Sequence, residues 1–314
     1  MSAPLSRRAA LAAAAALPAA ALSLTATGAR AQEAASGTGP AAPLRRFRLG
    51  DFTVTTLLDA SLPREGAKEI FGGGASDEAF AEVSRDNFIP ADTAQFFFTP
   101  TLVETGDAKI LFDTGLGQGG IQNALSAAGV APGDITTVVI THMHPDHIGG
   151  LMQDGTPAFA NAGYVTGQAE YDYWAGVEPG HRVGDLFAKN MKPLAEKTSF
   201  LGDGGSVAPG ITAMASFGHT PGHMGYLLES GGQQLLLTAD LANHYVWSFA
   251  HPEWEVQFDM DKAAATESRR RVLGMLASER MPMIGYHMPF PAAGFVEARG
   301  EGFRFVPVSY QMMG

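Results

Sequence analysis

The chain has 314 residues, a formal net charge of −11 and no cysteine. Such acidity disfavours a phosphate-backbone partner, which calls for a basic surface, so nucleic acid is not an expected partner. The missing thiol excludes cysteine nucleophiles, thiolate ligands and disulfides, and leaves imidazole and carboxylate as the groups able to hold a metal.

From the N-terminus, residues 1–31 read as a cleavable export leader. Arg7-Arg8 precede an Ala/Leu run from Ala9 to about Leu24, and Ala29-Arg30-Ala31 supplies a small-x-small cleavage site. The stretch Ser6-Arg7-Arg8-Ala9-Ala10-Leu11 resembles a twin-arginine signal, which implies export of an already folded protein to a periplasmic or secreted location. The run is too short and too weakly apolar to span a membrane well, so no membrane partner is expected after cleavage. Residues 32–43, rich in Ala, Gly, Ser and Pro, read as a flexible lead-in, and residues 44–314 as one folded domain.

Short strand-like runs come next, at Phe52–Leu58, Phe96–Glu104, Lys109–Phe112, Ile135–Thr141, Ala162–Thr166, Ile211–Ser216, Met224–Glu229, Gln234–Thr238 and Met283–Tyr286. Helical periods lie between them. Ile121, Leu125 and Ala128 share one face before Gly129, and Ala265, Val272 and Leu276 share another in a long helix that stops before Pro282. Strands in meanders, then alternating with helices, predict a layered α/β protein with its ligand site at strand ends.

The chemistry concentrates in Thr141-His-Met-His-Pro-Asp-His147. On extended backbone His142 and His144 point the same way and can grip one ion, while Pro145 sets a turn that sends Asp146 and His147 elsewhere. Three further ligand types end apolar runs: His223 in Gly218-His-Thr-Pro-Gly-His223, Asp240 after Leu235-Leu-Leu-Thr-Ala, and His287 after Met283-Ile-Gly-Tyr. His181, His244 and His251 have no spacing that pairs them with these, so a structural or solvated role is expected for each.

His142-x-His144-x-Asp146-His147, then His223, Asp240 and His287, with Asp113 in Leu111-Phe-Asp-Thr-Gly115 upstream, resembles the metallo-β-lactamase superfamily. The resemblance implies a four-layer αββα sandwich and two divalent cations. It implies His142, His144 and His223 on the first metal, Asp146, His147 and His287 on the second, and Asp240 between them. It further implies that Asp113 orients ligands without binding metal, and His219 is read as a brace for the His223 loop. Zinc is the expected metal; iron, manganese, cobalt and nickel suit the same donors.

Gly218-His-Thr-Pro-Gly-His223 and Gly302-Phe-Arg-Phe-Val-Pro-Val-Ser-Tyr310 look most like the exported methyl parathion hydrolase group, to which acyl-homoserine lactone lactonases are related. Two departures leave the substrate open. Asn243 stands three residues after Asp240, where such lactonases carry tyrosine, although Tyr245 is near; and Leu116-Gly-Gln-Gly-Gly120 lacks the pocket aromatic expected just after Asp-Thr-Gly. Trp174, Phe187 and Tyr245 resemble pocket-lining aromatics, and serve equally well as core residues.

The implied activity is hydrolysis of small lactones, esters or phosphotriesters by a hydroxide that two metals generate near pH 7, with Asp146 or Asp240 passing a proton to the leaving group. The expected partner is a small-molecule substrate, with a homodimer as candidate assembly. The alternatives are an iron-dependent redox enzyme of the same fold, dioxygenase-like, and a non-catalytic metal-binding protein.

Overall fold

The computed structural model describes residues 43–308. The leader, nearly all of the lead-in and Tyr310 lie outside the described residues. In chain order the first half runs β1 (Leu44–Leu49), β2 (Phe52–Leu57), β3 (Ala60–Glu65), α1 (Ala67–Phe71), α2 (Asp77–Asp86), β4 (Thr93–Phe98), β5 (Thr101–Thr105), β6 (Ala108–Phe112), α3 (Gly120–Ala127), β7 (Thr137–Ile140) and α4 (Pro145–Ile148). A small ribbon of β8 (Met152–Gln153) and β9 (Thr156–Pro157) leads to β10 (Gly163–Gly167), α5 (Gln168–Ala175), α6 (Arg182–Asn190) and β11 (Thr198–Leu201). The second half runs β12 (Ser206–Ala208), β13 (Ile211–Ala215), β14 (Met224–Ser230), β15 (Gln233–Ala239), α7 (Trp247–Ala250), α8 (Lys262–Glu279), β16 (Met283–Gly285), β17 (Ala293–Arg299) and β18 (Gly302–Pro307).

Two seven-stranded sheets result, ordered β1-β2-β5-β6-β7-β10-β11 and β12-β13-β14-β15-β16-β17-β18. Alternation along β7 shows how they stack. Val139 joins a core shared with Ile211, Tyr226 and Leu237 of the other sheet, whereas its neighbours Val138 and Ile140 pack beneath α3, α5 and α6 with Leu125, Trp174 and Phe187. Helix α8 covers the second sheet through Val272, Leu273 and Leu276, so helices flank two facing sheets. It starts on Asp261, whose carboxylate caps Ala264 N–H at 3.0 Å, and ends at Arg280 in left-handed backbone (φ 52°).

One expected strand divides. Phe96–Glu104 breaks at Thr99-Pro100, because Pro100 has no N–H to continue a ladder. The part before the break, β4, pairs with β3 in a separate hairpin, and the part after it, β5, joins the first sheet. That hairpin packs with α1, α7, Trp247 and Trp254 in a third apolar cluster beside the sheet ends. Among the described residues no helix is long and apolar enough to cross a membrane.

Candidate metal centre

Strand β7 lies between β6 and β10, parallel to both, and its C-terminal end delivers His142 and His144. The α4 turn then carries Asp146 and His147. Asp240 succeeds β15 and His287 succeeds β16, which are parallel neighbours, so both side chains leave from the same end. Two backbone kinks aim the carboxylates. Asp113 itself (φ 60°) and Ala239 before Asp240 (φ 46°) occupy left-handed backbone, which costs a non-glycine residue about 1 kcal/mol or more.

These elements assemble two adjoining donor groups: His142, His144 and His219, and Asp146, His147, Asp240 and His287, each with its ligand atoms within 4.8 Å of one another. Asp240 stands between them. Its Oδ2 is 3.3 Å from His219 Nε2 and 3.0 Å from His287 Nε2, and its Oδ1 is 3.2 Å from His147 Nε2. His147 Nε2 and Asp240 Oδ1 are buried and make no hydrogen bond. A buried polar atom left so is costly, and a cation between these two satisfies both, so the donor set fits the expected metals.

The first group takes in His219, which the sequence reading places as a brace. His219 faces His144, Nε2 to Nδ1 at 2.9 Å, and the His223 ring centre lies 5.1 Å from that of His142. His223 Nδ1 lies 2.9 Å from Ser216 Oγ and its Nε2 accepts the Asp240 backbone N–H at 3.1 Å. The Thr220-Pro221-Gly222 turn reverses the chain between the two histidines, and both rings reach Asp240, His219 at its carboxylate and His223 at its backbone N–H. Both histidines of the motif therefore border the cluster, His219 within the grouped donors and His223 against Asp240.

The remaining contacts fix ring orientations. Asp113 Oδ2 is 2.8 Å from His147 Nδ1 and accepts Thr141 Oγ1–H at 2.9 Å, while its Oδ1 accepts Thr141 N–H at 2.9 Å. His287 Nδ1 donates to the Phe97 carbonyl at 2.8 Å, and the edges of Phe96 and Phe98 meet its ring. Burial disfavours charge on His219, but its hydrogen bonds to Asp240 and Asp259 outweigh this and push its pKa up to about 9. Burial likewise opposes ionisation of Asp146, yet His147 and His287 hold its carboxyl down at about 2. His144, buried and beside His219, is pushed down to about 3.

Two residues that the sequence does not single out matter here. Glu170 on α5 is buried and ties both histidine loops together: Oε1 accepts Met143 N–H at 2.9 Å, and Oε2 accepts Thr220 Oγ1–H at 2.7 Å and Gly222 N–H at 2.9 Å. Gly222 is required there, since a Cβ would lie 2.0 Å from Glu170 N. Asp259, on the segment before α8, receives His219 Nδ1–H. No local motif marks either residue, because each acts through loops remote in sequence.

Above the donors opens a cavity of about 260 Å³ whose apolar wall is Phe96, Phe98, Leu116, Val183 and Phe258. Size does not locate the site: a pocket of about 300 Å³ elsewhere has no His, Asp or Glu in its lining. The expected pocket aromatics are elsewhere. Trp174 is buried, its indole N–H donating to Glu170 at 2.7 Å, and Phe187 is buried in the same core. Tyr245 lines a separate cleft with Val83 and Phe303. The period-2 pattern of Gln95-Phe-Phe-Phe98, which puts Phe96 and Phe98 on one face, was the available signal.

Asn243, at the lactonase tyrosine position, donates to Asp240 Oδ2 at 2.9 Å. His181 caps α6, His244 accepts backbone N–H groups, and half-buried His251 stacks on Trp254, all apart from the donor cluster.

A model of the metallo-beta-lactamase superfamily matches residues 99–287. The chain belongs to this superfamily. An N-acyl homoserine lactonase of a Bacillus species is 27% identical over 206 residues, 57% of this chain and 76% of that protein. The solved structure of AidC, a dizinc quorum-quenching lactonase with the product N-hexanoyl-L-homoserine, superposes with a TM-score of 0.80 at 27% identity, over 85% of this chain and 98% of that one. The hydrolase AbOPH of the same superfamily superposes with a TM-score of 0.79 at 23% identity over 87% of this chain and 99% of that one, a likeness of fold. This superfamily member is a metal-dependent hydrolase, lactonase-like, with donors for two divalent cations.

Proposed function

We propose that this superfamily member hydrolyses small lactones and esters, with phosphotriesters as a second class, at a two-zinc centre. The observation that carries this reading is the Asp240 carboxylate held between two donor groups on the floor of a cavity with one apolar wall. The dizinc lactonase AidC supports the choice of metal and of lactones.

In this reading His142, His144 and His219 hold one cation, Asp146, His147 and His287 the other, and Asp240 both. Two such cations supply Lewis acidity and bring the pKa of water towards 7. The chain's residues do the rest. Phe96, Phe98 and Phe258 exclude water and take the substrate's apolar part. Asp146, which lines the cavity with its side chain 19% exposed, is placed to move a proton to the leaving oxygen, whereas Asp240 is only 3% exposed. Asn243 holds Asp240 in place of a tyrosine hydroxyl, so the leaving group receives no phenol proton from that position.

We infer that the protein works after export, on the strength of the Arg7-Arg8 leader. The decisive experiment is elemental analysis of purified protein joined to a panel of lactones, aryl esters and phosphotriesters. Two zinc ions per chain with lactone or ester turnover is expected. Iron with oxygen consumption, or metal without turnover of any panel member, overturns the reading.

A further inference from the structure

The hydrolytic cavity carries two cations that the donor cluster does not use. Arg64 from β3 and Arg182, the first residue of α6, line the same cavity as His144, Asp146, His219 and His287. Both are exposed. The Arg64 guanidinium lies 5.7 Å from the Phe96 ring centre, over the apolar wall. Neither guanidinium has a carboxylate partner among the described residues, whereas Arg269, Arg270 and Arg304 each hold one. Against the two arginines the cavity lining sets two acids, Asp146 and Asp240, and both of these belong to the donor cluster, which leaves the arginines for a ligand.

Arg182 also lines an adjoining cleft of about 520 Å³, which shares Leu116, Pro145 and Arg182 with the hydrolytic cavity and adds Lys189 and Gln118, with Asp154 as its acid. A substrate seated over the donors therefore has room to extend past Arg182 into a predominantly cationic branch.

Resting on the hydrolase reading above, we propose that the substrate is an anionic ester or lactone, whose distal carboxylate is held by Arg64 and Arg182 while its scissile carbonyl reaches the donor cluster. A guanidinium offers a planar fork of N–H donors that matches a carboxylate and is always charged. In the reaction the acyl carbon gains oxygen from water, its bond to the alkoxy oxygen breaks, and that oxygen takes the water's proton. The distal carboxylate is unchanged. Phe96 and Phe98 cover the linking carbons, so recognition divides into an apolar middle and a charged end.

The test compares mono-4-nitrophenyl glutarate with its methyl-capped neutral counterpart, on zinc-loaded wild type, R64Q, R182Q and the double variant. The wild type is expected to prefer the carboxylated ester. Each single change lowers kcat/KM for it about tenfold, mainly through KM, as expected for one charge-assisted hydrogen bond. Turnover of the neutral ester stays within about twofold and reports that the fold is intact. Equal or better turnover of the neutral ester by wild type, or equal losses on both esters, overturns the proposal.

Calorimetric binding of glutaranilic acid, an amide analogue with the same carboxylate, separates the two readings. Binding at least about tenfold weaker in the double variant supports the arginine site even where no ester is turned over, in which case the hydrolase reading alone falls. Unchanged binding in that variant overturns the arginine site whatever the turnover.

Discussion

The Asp259 carboxylate sits 2.9 Å from His219 Nδ1, and its other oxygen takes the Arg269 guanidinium at 2.7 Å, all three groups being buried. This chain ties the orientation of a donor histidine to helix α8. A carboxylate behind an imidazole fixes the ring and its tautomer and raises its basicity, and losing it lowers metal affinity about 10–100-fold. Asp259→Asn should therefore weaken the first metal position by that factor in a chelator competition. It should also destabilise the fold by about 3–5 kcal/mol, since Arg269 keeps a buried, uncompensated charge. Adding Arg269→Met should recover much of the stability without recovering metal affinity. Joint recovery of both would reduce Asp259 to a packing element.

His219 and His223 give opposite expectations. His219→Ala should leave about one metal per chain by elemental analysis, with the fold retained. His223→Ala should keep both metals but lower stability by about 1–3 kcal/mol, because Ser216 and the Asp240 N–H lose their buried partner. If His223→Ala loses metal and His219→Ala retains two, the placement of this loop is wrong.

The donors were legible where they end apolar strands. Val138, Val139 and Ile140 announce β7, and the residues just after a buried parallel strand must emerge at its end, so His142, His144, Asp146 and His147 could be placed from sequence. The same grammar found Asp240 and His287. It does not decide between the histidines of Gly218–His223, because two of them flank one tight turn and both reach Asp240. It failed for the pocket wall. Trp174 and Phe187 sit on helices whose buried residues meet the outer side of the first sheet, and an aromatic residue reads alike in a core and in a pocket. Asp259 and Glu170 were invisible for a further reason: each is an isolated acid whose partners come from other parts of the chain.

His244 predicts an acid sensitivity separate from the metal donors. It is buried, its Nδ1 accepts the N–H groups of Val246 and Trp247 at 3.2 and 3.3 Å, and its ring stacks on Trp247. Burial pushes its pKa down to about 3. The folded value is thus below the unfolded value of about 6.5, so its contribution is complete above about pH 6.5 and is lost as pH falls towards about 3. By pH 5 the loss is about 2 kcal/mol. His244→Gln retains an acceptor but does not titrate, so in urea unfolding the stability gap between wild type and variant should narrow by about that amount from pH 7 to pH 5. A gap that stays constant with pH refutes the assignment.

The aromatic assignments separate cleanly by substitution. Phe98 meets both the cavity and the His287 ring, whereas Trp174 is 2% exposed and packs only within the core beneath α5 and α6. Phe98→Leu keeps most of the buried volume, so it should leave metal content unchanged and shift the ratio of kcat/KM between long-chain and short-chain esters by about tenfold, the scale of a few methylene contacts. Trp174→Ala removes a large core side chain and leaves a Glu170 oxygen without its indole donor. It should lower unfolding stability by about 3–5 kcal/mol and leave that substrate ratio as it is in whatever protein remains folded. The reverse pattern, with specificity moving on Trp174→Ala and not on Phe98→Leu, would return Trp174 to the pocket and displace β4 from it.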